Sequence, residues 1–246
     1  DGERVFATSL VSLLGGERPL ACLTINHDEQ FYDESLMYLI RDAGYDITMI
    51  DLYDQDVPDN CELLITYNPN TDFIVADGIS DKSELDKLDA YLAAGGNYMV
   101  FVSGNTPVME NFDRFLADWG VKIGRSYDET SDRSYNGMVK DAAAALTSDG
   151  FTILGRYATE GEGARMTQDL TAREFVPSVV FRDSTVLLAS DAYASAGAAT
   201  YQSGSRVRSD VFLAGESAEV LSSGKQLTDI SGDLTLMTLT ADAQTG

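Results

Sequence analysis

DKSELDKLDAYLAAGGNYMVFV, residues 81–102, decides how this chain is read. Leu85, Leu88, Tyr91 and Leu92 recur at the three- and four-residue spacing of one helical face. Asp81, Lys82, Glu84, Asp86, Lys87 and Asp89 fall on the other face. Ser80 stands where a helix N-cap belongs, and the acidic first turn suits the helix dipole. Gly95-Gly96 stops the helix, because glycine takes the left-handed C-terminal conformation at low cost. NYMVFV, residues 97–102, is too short for a core helix and reads as a strand buried on both faces. Helix, glycine stop and buried strand form the repeating unit of an α/β sheet protein.

The same unit recurs on either side. Residues 3–14 read as a helix stopped by Gly15-Gly16, and PLACLTI, residues 19–25, as the first buried strand. Helix 31–43, strand 46–52 and strand 62–67 follow, with loops 26–30 and 68–80 at the strand ends. Beyond residue 102 come a loop at 103–107, a helix over 108–119 and an extended VKIG. This alternation predicts a doubly wound, mostly parallel α/β sheet, flavodoxin-like in the broad sense, for residues 1–124. From residue 125 the chain turns polar and turn-rich, as in SYDETSDRSYNG at 126–137. A short alanine-rich helix is expected at 141–146, a loop at 193–205, and strands at 150–157, 174–181, 185–189, 210–214 and 233–239. Residues 125–246 thus form a β-richer continuation, packed on the first sheet or extending it.

Charge narrows the function. Seventeen Lys and Arg stand against 40 Asp and Glu, for a formal net charge of -23 and a pI of about 4.1. Such a surface is the wrong sign for nucleic acid and for a polybasic membrane contact. Acidity of this kind chiefly keeps a protein soluble. Cys22 lies inside an apolar run and Cys61 just before one. They read as two buried free thiols, or as a disulfide where their strands are neighbours. No apolar stretch approaches the ~20 residues of a membrane-spanning helix. The abrupt start at Asp1 and the polar TADAQTG end read as a soluble domain cut from a longer protein.

Catalytic machinery is sparse. His27 is the sole histidine, and Asn26-His27-Asp28-Glu29 follows a buried strand, where α/β proteins place their sites. One histidine with two acids suits a general base or a metal ligand, but a metal centre needs three or four ligands and no second histidine exists. A polar loop capping the next helix is the preferred reading. Ser103 follows a strand without the glycines of a nucleophile elbow. There is no Walker A sequence and no G-x-G-x-x-G after the first strand. Gly161-Glu162-Gly163 is a lone glycine pair that specifies no phosphate loop. Thr66-Tyr67-Asn68-Pro69-Asn70 reads as a turn before it reads as a ligand contact. Tyr127, Tyr135, Tyr157, Tyr193 and Tyr201 read as core and rim residues before a carbohydrate platform.

Taken in order, these pieces resemble one family. Thr24-Ile25-Asn26-His27-Asp28-Glu29 is similar to a T-G-H-G-E-like loop, with Asn26 and Asp28 where that family tends to glycine. Ala43-Gly44-Tyr45, Val57-Pro58, Tyr67-Asn68-Pro69, Tyr91-Leu92-Ala93-Ala94-Gly95-Gly96-Asn97 and Ala117-Asp118-Trp119-Gly120-Val121 follow at matching intervals. Residues 19–124 resemble the soluble domain of GldG-like, gliding-motility-type ABC-transporter auxiliary proteins. The related glutamine-amidotransferase-like fold has a nucleophilic cysteine with no counterpart here.

The resemblance implies a non-catalytic, extracytoplasmic binding or interaction domain. It would be membrane-anchored through segments outside this chain, beside ABC permease and ATPase subunits, with no cofactor and no metal. The candidate ligand or partner loops are Asn26, His27, Asp28, Glu29, Asn68, Asn70, Ser103 and Asn105, at strand C-termini. A hydrolase of amidotransferase-like fold using the His27 loop, and a soluble sugar- or nucleotide-binding module, are the alternatives.

Overall fold

The structure, a computed structural model, describes residues 18–29, 34–76, 83–230 and 232–244. The helix expected at 3–14 lies outside the described residues. Contacts divide the chain into two units, Asp1–Val102 and Ser103–Gln244.

The first unit is built on β1 (Leu20–Thr24), followed by α1 (Glu34–Asp42), β2 (Asp46–Ile50), β3 (Cys61–Tyr67), α2 (Glu84–Ala93) and β4 (Asn97–Phe101). Its four strands are parallel, in the order β2-β1-β3-β4. Central β1 has neighbours on both edges and is the most buried strand, which explains its unbroken apolar run. Ala21, Leu23 and Ile65 pack under Ile40 of α1, with Leu36 and Met37 beside it. Leu85 and Leu88 bury the inner stripe of α2, as their spacing requires.

Two details of the opening stretch differ from expectation. The cap of α2 is Ser83, whose side chain accepts from the Asp86 backbone N–H at 3.1 Å; Ser80 lies outside the described residues. The strand that follows is an edge strand with partly exposed side chains, not one buried on both faces. Gly95 does end the helix, with φ of 88°.

The second unit opens with α3 (Glu110–Asp118), β5 (Val121–Ile123), β6 (Arg125–Asp128), β7 (Arg133–Asn136), β8 (Met138–Lys140), β9 (Thr152–Tyr157) and α4 (Gly161–Thr171). It continues through β10 (Val179–Arg182), β11 (Leu187–Ala189), β12 (Ala194–Gly197), β13 (Thr200–Ser203) and β14 (Arg206–Leu213). β15 (Glu219–Ser222), β16 (Lys225–Gln226) and β17 (Thr235–Asp242) complete it. The main sheet runs β10-β9-β14-β17-β11-β5, with the β12–β13 hairpin joined to β14 through β13. Among the described residues its strand pairs are all antiparallel. Val139, Ile153, Val186, Val211, Phe212 and Leu236 form the heart of its core.

The doubly wound, mostly parallel α/β fold of flavodoxin-like or amidotransferase-like type is therefore corrected. Parallel pairing stops at four strands, and the strands after Val102 pair antiparallel among themselves. Even β5 pairs antiparallel with β11, so α3 and β5, grouped with the first part on sequence, belong to the second unit. The pairs β6–β7, β12–β13, β13–β14 and β15–β16 are joined by short turns, which only antiparallel pairing allows.

Two local expectations also change, and one further helix stands where no period marks it. Residues 141–146 form no helix: Asp141 Oδ1 accepts the backbone N–H groups of Ala143 and Ala144, and the segment then runs beside β9 through Leu146 N to Thr152 O. A side chain that captures nearby amides competes with the helix. Residues 193–205 contain the β12–β13 hairpin rather than a loop. Residues 161–171 form α4, which the glycine pair conceals. Gly163 has a packing reason, since a Cβ there would lie 2.0 Å from the Asp210 carbonyl oxygen on β14.

Candidate functional site at the carboxyl end of the parallel sheet

Parallel strands send their following loops to one edge, so the exits of β1 and β3 meet there. Asn26 and Asp28 hold left-handed backbone, φ 78° and 52°, and Asn68 does the same at 51°. Asn and Asp tolerate that region better than most side chains. The backbone N–H groups of Asn70 and Thr71 both donate to the His27 carbonyl, at 2.8 and 3.0 Å. Asn70 Nδ2 donates to the Asp28 carbonyl at 2.9 Å, and Thr71 Oγ1 to Asp28 Oδ2 at 2.8 Å. Asn26 Nδ2 donates to Asp51 Oδ2 at 2.5 Å, tying in the end of β2.

His27 sits at the centre and is only 3% exposed. Its ring stacks on Phe73, centroids 3.9 Å apart and planes 14° from parallel. Nε2 lies 3.1 Å from Glu84 Oε2 and carries the hydrogen bond. Nδ1 lies 3.4 Å from Glu29 Oε1, close enough for charge attraction but poorly aligned as a hydrogen bond. Both carboxylates are themselves anchored. Glu29 accepts from Thr24 Oγ1 at 2.9 Å and from the His27 backbone N–H at 2.8 Å. Glu84 Oε2 accepts from the Ile74 backbone N–H at 2.7 Å. Below them Thr24 and Thr66 hydroxyls meet at 2.9 Å, and Tyr98 donates to Thr66 at 2.7 Å.

The electrostatics follow from this enclosure. Burial alone works against the charged imidazole, but the Glu29 and Glu84 carboxylates outweigh it and raise His27 to about 9. Glu29 is likewise opposed by burial, yet His27 and the surrounding donors hold it below the ordinary carboxylate value. At neutral pH the group is a buried imidazolium between carboxylates. It offers no free base to a substrate, and its two nitrogens face acids rather than an open coordination position. Among the described residues, no group of three or more His, Cys, Asp or Glu is arranged to hold a metal.

The structure brings Asn26, His27, Asp28, Glu29, Asn68 and Asn70 together. Ser103 and Asn105 belong to the second unit, where the Asn105 backbone N–H donates to Ser103 Oγ at 3.3 Å within a local turn. Glu84, which helical spacing puts on the outer face, is instead buried against His27. Thr66, the first residue of the stretch singled out before Asn70, joins the site, and Phe73 and Tyr98 complete it without any motif to mark them. The signal for Glu84 is topological: a helix leading from one parallel strand to the next starts at the loop edge of the sheet.

The tyrosines of the second unit serve separate places. Tyr157 packs on Phe212, centroids 4.7 Å apart, and Tyr193 donates from its buried hydroxyl to the Asp118 carbonyl at 3.0 Å. Tyr201 faces the Arg208 guanidinium, and Tyr127 is exposed on its hairpin.

No protein-family model matches the chain, and no curated protein matches it.

Proposed function

We propose that the chain is a non-catalytic, extracytoplasmic binding and interaction domain of an ABC-type transport auxiliary protein, working beside permease and ATPase subunits. The observation that carries this reading is the loop after β1. Asn26 and Asp28 occupy the positions where the resembled family tends to glycine, and both take the left-handed backbone that glycine adopts most readily. The loop thus keeps a glycine-type path with other residues. Its histidine is enclosed by Phe73 and two carboxylates, which suits a cross-link that fixes the loop edge for a partner.

The test is affinity capture of the natural protein from its own membranes, with mass spectrometry of what accompanies it. Recovery of an ABC ATPase and a permease is the expected result. A protein that leaves the membrane fraction with no such subunits overturns the reading. Deleting the domain should impair assembly or transport, whereas His27→Ala should remove no hydrolytic activity.

A further inference from the structure

At the other end of β3 the sheet brings together the chain's two cysteines. Cys61 opens β3 and Cys22 lies in the middle of β1, its paired neighbour. Both are free thiols, and Cys61 pairs with Leu20, two residues before Cys22 on the same face of β1, so the two side chains are diagonal neighbours on one face of the sheet. Cys61 Sγ lies 3.9 Å from the Tyr91 hydroxyl and 3.5 Å from the Leu63 carbonyl oxygen. The two thiols differ in access. Cys61 lines a cavity of about 530 Å³ together with Asp56, Asp59, Glu62, Lys87 and Tyr91. Cys22 is fully buried and is absent from that wall. One cysteine lines the space and the other does not.

We propose that Cys61 and Cys22 form a thiol–disulfide exchange site, in which Cys61 attacks a small disulfide entering the cavity and Cys22 resolves the mixed disulfide. In the first step a Cys61–substrate S–S bond forms as the entering S–S bond breaks. The expelled sulfur takes the proton that Cys61 gives up. Cys22 then attacks Cys61 Sγ, the mixed bond breaks, and the second leaving sulfur takes the proton of Cys22. Two protein thiols are oxidised by two electrons to one disulfide, and the entering disulfide is reduced to two thiols.

Acidity agrees with this division of labour. The neighbouring Cys22 thiol pulls Cys61 down to about 7 against the opposing effect of burial, with Tyr91 helping. The neighbouring Cys61 and burial together push Cys22 well up. Asp56, Asp59 and Glu62 line the cavity, and Lys87 is already held by the Leu52 and Gln55 carbonyls at 2.6 and 2.8 Å and by Asp56. The disulfide that fits is therefore cationic or neutral rather than anionic.

The experiment is incubation of the folded, reduced protein with cystamine, followed by acid quenching and intact mass under non-reducing conditions. The wild type should finish as an internal disulfide with no retained adduct. C22S should keep one cysteamine, C61S should stay unmodified over the same period, and oxidised glutathione should react severalfold more slowly than cystamine. Tyr91→Phe should slow the wild-type reaction without changing its product. Cysteines that remain reduced, a C61S variant that reacts as fast as wild type, or a wild type that ends as the mixed disulfide would each overturn the site. Should a serine variant fail to fold, limiting iodoacetamide on the wild type decides: Cys61 labelled before Cys22 supports the order, and the reverse sinks it.

Discussion

His27 carries its charge where water scarcely reaches, and a charge in that position persists only with partners. His27→Ala leaves Glu29 and Glu84 buried without their shared counter-charge, a loss expected to cost about 3–5 kcal/mol. The pH dependence has a definite sign. The folded value is about 9 against an ordinary 6.5, so the stabilisation is complete below 6.5 and is lost as pH rises through 9. Glu29 adds the opposite limb: its depressed value stabilises above the ordinary carboxylate range and is lost as pH falls through it. The cross-link is therefore strongest in mild acid. Urea denaturation of wild type and His27→Ala at about pH 6 and about pH 10 should show the gap narrowing at the higher pH. A gap that does not change would mean the ring acts by packing alone.

At the scale of elements, single groups hold each helix and strand in place. Ser83→Ala removes the α2 cap and should cost about 1 kcal/mol, measured as a lowered denaturation midpoint. Gly163→Ala sets a methyl against the backbone of β14, and overpacking of this kind costs about 1–3 kcal/mol. On β14 itself Arg208 and Asp210 form a buried pair, Nη2 to Oδ1 at 2.9 Å, held by charge rather than by aligned hydrogen bonds. Burial lowers the arginine and raises the carboxyl, which marks the enclosure as costly for both. Arg208→Met alone should destabilise by about 3–5 kcal/mol, while the Arg208→Met/Asp210→Leu double variant should recover most of that. Thermal melts of the two variants, compared with wild type, decide the point. A double variant as unstable as the single one would show that the guanidinium over Tyr201 matters more than the charge pairing.

For the whole molecule the strongest influence is a formal net charge of -23. Mutual repulsion keeps copies apart near neutral pH and vanishes near the pI of about 4.1. Turbidity against pH should peak close to that value and clear toward neutrality, and added salt should weaken the repulsion. The same field disfavours anionic partners, in keeping with the choice of cystamine over glutathione at Cys61.

Residues 18–102 are legible as elements because each strand or helix is long enough to show its period. β1 reads as an apolar run, α2 as an amphipathic stripe, and the loop after β1 stands out by its lone histidine. Much of the second unit is not legible in this way. Strands such as β6, β7, β12 and β13 have four residues each, too few to display alternation, and α4 begins with two glycines among its first three residues. The loop residues of the site stand out in the sequence, but Glu84 does not, since it lies 57 residues beyond His27. The sequence by itself determined the local periods, the turn residues and the charge. Only the tertiary structure decided that parallel pairing ends at four strands, that His27 meets Glu84 and that Cys22 meets Cys61. Those outcomes depend on which distant segments share a sheet, and no local spacing encodes that choice.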